Sequence, residues 1–144
     1  MIIENIMSTK FLVLKISDSE DAARQLMVET GVSYLPVIGD AGEPLGVIWQ
    51  TDLLQKLQPI ASKKSSKDSK SKEGAGPLSE LMRVEFETIS SSSPLRDAAI
   101  LLQQKNSGCL LVVADNQLIG IVAPRNFLGV TVNLLQDREE LNFD

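Results

Sequence analysis

The chain has 144 residues, a hydrophobic fraction of 43% with few aromatics, and a formal net charge of -5, enough aliphatic surface to fold without a metal or disulfide staple. It contains no histidine, which removes the commonest general acid-base group, the triads built on it and most zinc sites. No apolar run approaches the roughly 18 to 20 residues of a membrane-spanning helix, and the start Met1-Ile2-Ile3-Glu4-Asn5 has neither the basic nor the apolar region of a leader, so the chain is expected in the cytoplasm.

In chain order, Met7 precedes a strand-like apolar run, Phe11 to Leu14. Ser17 with Glu20 three residues on reads as a capping box opening a helix. Ala22, Ala23, Leu26, Met27 and Thr30 fall on one buried face of that helix, with Glu20, Arg24, Gln25 and Glu29 mostly off it. Gly31 gives the stop. Leu35-Pro36-Val37-Ile38 and Leu45-Gly46-Val47-Ile48 are short apolar runs flanking Gly39-Asp40-Ala41-Gly42, which predicts a hairpin. Asp52-Leu53-Leu54 then opens a second helix.

The same series returns from Met82: Phe86 to Ile89, Asp97-Ala98-Ala99, Leu111 to Val113, a turn at Asp115-Asn116, Leu118 to Val122, and Asn126-Phe127-Leu128. Here Ser93-Pro94 signals the helix start, with proline at the first helical position, and Gly108 lies near its end. The two series are offset by 75 residues at the methionines, 76 at Asp-Ala-Ala and 74 at the glycines, which points to duplication of one βαββα unit. Residues 1–61 form the first repeat and 78–144 the second. Between them, 62–77 is rich in Ser, Lys and Gly and too polar to offset the entropy of ordering it, so it reads as a disordered linker. Lys63, Lys64, Lys67, Lys70 and Lys72 give this stretch its positive charge, and the rest of the chain is near -8. A solvated tether is favoured over a basic arm, and nucleic acid is not expected as a partner.

The order Met, apolar run, Asp-Ala-Ala helix, Leu-Pro-Val, Leu-Gly-Val-Ile, Asp-Leu-Leu resembles the cystathionine-beta-synthase (CBS) domain, and its recurrence resembles a tandem pair, or Bateman module. The resemblance covers Ile6 to Leu135 apart from the linker. It implies an α+β fold in which two repeats pack sheet to sheet as a pseudo-twofold disc. It also implies clefts between the repeats for AMP, ADP, ATP or S-adenosylmethionine, and further association into a homodimer. Such a module is regulatory rather than enzymatic, requires no cofactor, and signals to a protein partner or through its oligomeric state. The alternative is a ligand-free scaffold for dimerisation or docking.

The family's ribose signature is Gly-x-x-Thr/Ser-x-x-Asp. The first copy, Gly46 to Asp52, keeps the carboxylate but places Trp49 at the hydroxyl position; the second, Gly120 to Asn126, has Ala123 there and an amide at its end. Asp52 is suited to accept two ribose hydroxyls and equally to cap the helix before Leu53. For Asn126, capping before Phe127 is favoured. The resemblance adds Lys10 and Phe11, Tyr34 and Pro36 facing a base, and Cys109 as the counterpart strand. Arg83 and Arg125 are candidates for forked phosphate contacts, though solvated surface charge is the commoner fate. Cys109 is otherwise a small buried hydrophobe, and Trp49 either stacks on a base or fills the site. There is no metal-ligand cluster and no phosphate-cradling glycine loop.

Overall fold

The computed structural model describes residues 1–56, 77–105 and 108–141. The linker reading lies outside these residues except at Pro77, which pairs with Ser19 in an isolated bridge. The fold is α+β with two three-stranded sheets. The first holds β1 (Leu14–Lys15), β2 (Tyr34–Ile38) and β3 (Pro44–Trp49), in that order. β1 runs parallel to β2, and β2 antiparallel to β3. Helix α1 (Glu20–Thr30) forms the crossover between the parallel strands, and α2 (Gln50–Lys56) follows β3 directly. After α3 (Leu78–Leu81) the pattern repeats with β4 (Thr88–Ile89), α4 (Leu95–Lys105), β5 (Leu110–Ala114) and β6 (Gln117–Val122). A 3-10 turn, Pro124–Phe127, then leads into α5 (Leu128–Leu141).

The hairpins form where the turn residues place them. Asp115 and Asn116 both take positive φ, 52° and 62°, the left-handed pair that lets a two-residue turn match strand twist. Gly31 closes α1 with φ 74°, its N–H bonded to the Met27 carbonyl.

Several local expectations are corrected. The opening strands are two residues each, not the four-residue runs Phe11 to Leu14 and Phe86 to Ile89. β1 pairs with only Val37 and Ile38 of β2, so Pro36, which has no N–H, lies beyond its reach and costs the sheet no bond. The N-cap of α1 is Ser19, not Ser17: its Oγ accepts from the Ala22 N–H at 3.1 Å. Glu20, in the first turn beside that cap, is fully buried, whereas Thr30 is exposed. Pro94 sits one position before α4 rather than at its first residue, and α4 ends at Lys105 with residues 106–107 outside the described set.

The compact units do not follow the order of the repeats along the chain. One unit combines Met1–Phe11 with Glu87–Asp144, and the other spans Leu12–Phe86. In the first, Ile3 is buried with Ile89, Ala98, Leu110, Val112 and Val122. In the second, Leu78 is buried with Leu14, Ala23, Met27, Leu35, Val37, Ile48 and Leu53. The segment leading into each repeat therefore supplies a core side chain to the other repeat's unit.

Candidate functional site

In the unit Leu12–Phe86 the candidate site gathers around the end of β3. Residues 45–49 alternate across the sheet, and the main chain enters α2 at Gln50, whose N–H bonds to the Ser33 carbonyl at 2.8 Å. Neither Thr51 nor Asp52 is the N-cap, because the helix starts ahead of both; Asp52 is the third helical residue. Its carboxylate accepts a forked pair of bonds from Arg83, Nε to Oδ2 at 2.7 Å and Nη2 to Oδ1 at 2.8 Å. The Asp52 side chain is 19% exposed and that of Arg83 60%. The carboxylate raises the Arg83 pKa, first through the hydrogen bond and then through its charge, against a small opposing effect of desolvation.

Arg83 is held at this point by its main chain. Its N–H donates to the Val47 carbonyl at 2.8 Å, and its carbonyl accepts from the Val47 N–H at 2.9 Å. That close approach requires glycine at 46, since a β-carbon there would lie 2.8 Å from both the Arg83 carbonyl oxygen and Met82 Sδ. Across the hairpin, Tyr34 is the register partner of Trp49, and their rings meet at 5.2 Å between centroids with a 51° tilt. Pro36 is buried on β2 opposite Val47. The structure thus places Tyr34, Pro36, Asp52 and Arg83 in one unit and pairs the last two with each other.

The other unit holds Lys10, Phe11, Cys109, Arg125 and Asn126. Lys10 and Arg125 are exposed, Phe11 is half-buried, and Cys109 is buried next to β5. Every polar atom of the Asn126 side chain is engaged. Its Oδ1 accepts from the Ala123 N–H at 2.8 Å, while Nδ2 donates to the Ile6 carbonyl at 2.8 Å and to Ser8 Oγ at 3.1 Å. Asn126 is therefore inside the 3-10 turn and reaches back to its start, rather than standing as the N-cap ahead of Phe127.

The two copies use one device. Ser8 and Arg83 are offset by 75 residues, Asp52 and Asn126 by 74. In each unit the side chain at the end of the Gly-x-x-x-x-x-Asp/Asn stretch clasps the segment that leads into the other repeat. The pairing of Asp52 with Arg83 was not anticipated from the sequence, where the two residues lie 31 positions apart. Among the described residues there is no group of three His, Cys, Asp or Glu side chains placed to hold a metal. Nor is any helix among them long and apolar enough to cross a membrane.

Two βαββα units of this topology define a paired-repeat module, and the comparison with known proteins gives it a family. The CBS domain profile matches residues 3–59 and 78–132, and the chain belongs to the CBS domain family, with two domains in tandem. Among solved structures, CBSX2 from Arabidopsis thaliana is 30% identical with a TM-score of 0.76, covering 94% of this chain and 96% of that one. CBSX2 in complex with AMP is 31% identical with a TM-score of 0.75, covering 93% and 98%. The CBS domain pair of MJ0100, in complex with 5'-methylthioadenosine and S-adenosyl-L-methionine, shares the fold at 18% identity and a TM-score of 0.72, covering 93% and 98%. A homoserine O-acetyltransferase of Methanococcus vannielii is 29% identical over 126 residues, 87% of this chain. The chain spans only 24% of that protein's length and 32% of a second curated relative's.

Proposed function

We propose that the chain is a regulatory module that senses an adenosine-containing ligand through Asp52 and passes occupancy to a partner protein or to its own oligomeric state. The observation that carries this reading is the shielded carboxylate at the end of the Gly46–Asp52 stretch, in a chain 31% identical to a CBS pair in complex with AMP. A carboxylate accepts both hydroxyls of a ribose in charge-assisted bonds, and Tyr34 and Pro36 lie on the neighbouring strand to meet a base. The module acts in the cytoplasm as a binding device and not as an enzyme. Titration calorimetry with AMP, ADP, ATP and S-adenosylmethionine tests it. Asp52→Ala is expected to weaken the bound ligand about tenfold, the order of one strong charge-assisted hydrogen bond. No heat from any of the four at millimolar concentration would defeat the reading.

A second reading, a ligand-free scaffold, has its own support in α5, where Leu128, Val132 and Leu135 recur at helical spacing and are all exposed, as is Leu134. Such a stripe suits a second copy of the chain. Sedimentation is expected to give twice the chain mass, and Leu128→Glu with Val132→Glu to return it to a monomer. A wild-type monomer at high concentration would remove this reading.

A further inference from the structure

The Arg83 guanidinium occupies the same two carboxylate oxygens that a vicinal diol needs. We propose that Arg83 is an ion-pair latch on Asp52, so that a ribose-bearing ligand binds by displacing the guanidinium; the inference rests on the reading of Asp52 as the ribose acceptor. The geometry suits a latch. The Arg83 main chain is fixed by two bonds to Val47, while its side chain is 60% exposed and can swing into water without disturbing them. The Asp52 side chain beneath is 19% exposed, so the guanidinium both neutralises it and covers it. Once displaced, the guanidinium is solvated at little cost, because an exposed ion pair contributes little.

The equivalent position in the other unit cannot open in this way. Displacing the Asn126 carboxamide would strip the Ile6 carbonyl and the Ala123 N–H of their side-chain partner, and unmade bonds at partly buried main-chain groups are costly. The first copy therefore has an exchangeable clasp and the second a fixed one, and one ligand binds per chain.

Adenosine is the probe, because without a phosphate it gains nothing from Arg83 as an anion contact; 2'-deoxyadenosine, lacking the diol, is the control. Calorimetry on the full chain is expected to show Arg83→Ala binding adenosine about two- to fivefold more tightly than wild type, the range an exposed ion pair spans. Arg83→Gln, which keeps most of the stem, is expected to act in the same direction. Raising salt from about 0.05 M to about 0.5 M should tighten adenosine on wild type by screening the latch, and leave Arg83→Ala unchanged. Equal or weaker binding by both variants, with adenosine still weakened about tenfold in Asp52→Ala, overturns the latch and leaves the sensor reading standing. Two adenosines per chain would overturn the asymmetry between the copies. No binding of adenosine or AMP to wild type or to either variant overturns the sensor and the latch together.

Discussion

Gly46→Val is expected to destabilise the unit Leu12–Phe86 by about 3 kcal/mol, near the upper end of the usual cost of forcing bulk into a closed space. The cause is contact and not backbone conformation. A β-carbon at Gly46 would stand 2.8 Å from the Arg83 carbonyl oxygen, 2.8 Å from Met82 Sδ and 3.0 Å from Met82 Cγ. A thioether can rotate away, but the carbonyl is hydrogen-bonded to the Val47 N–H at 2.9 Å and cannot move without opening that bridge. Gly120 is the equivalent position in the other unit. There the nearest atom to an added β-carbon is Met7 Sδ at 2.6 Å, and the Ser8 carbonyl oxygen lies at 3.3 Å. The flexible side chain absorbs most of the conflict, so Gly120→Val is expected to cost less than Gly46→Val. Urea unfolding of the two variants measures the difference. Equal losses would mean that the main-chain contact at Arg83 is not what demands glycine.

The repeat, the helices and the hairpins were legible because each is written locally. Hydrophobic spacing marked α1, and left-handed turn residues marked the Asp115-Asn116 hairpin. The family followed from their order. What was not legible depends on contacts distant in sequence. Apolar runs at Phe11 and Phe86 look like full strands, yet a strand's length is set by its partner, and pairing reaches only two residues in each copy. Glu20 reads as a surface residue by composition and is fully buried beside the cap. The two clasps were hidden for the same reason. Asp52 and Arg83 are 31 residues apart, and Asn126 and Ser8 are 118 apart. A repeat in the sequence shows that two units exist without showing which unit each leading segment joins. Asp52 was legible as a ribose acceptor through its place in the Gly46–Asp52 stretch; that Arg83 sits on it was not.

Leu35→Ala is the second large effect expected, a loss of about 3 kcal/mol within the range of about 2 to 5 for leucine truncated in a closed core. Leu35 is fully buried in β2, where it pairs in register with Ile48 and packs in the cluster that includes Leu14, Met27 and Leu53. Those neighbours come from a strand, α1 and α2, so no single side chain can move in to fill the space without shifting an element. The consequence reaches the site because Leu53, beside Asp52, belongs to the same cluster; slackening there frees the first turn of α2 and with it the carboxylate. Leu54 is the control. It follows Leu53 on the same helix but is 55% exposed, and Leu54→Ala is expected to change stability by no more than about 0.5 kcal/mol. If chemical denaturation found Leu35→Ala costing under about 1 kcal/mol, or no more than Leu54→Ala, the side chain would not be enclosed as described, and α2 would owe its position to the Asp52–Arg83 clasp rather than to the core.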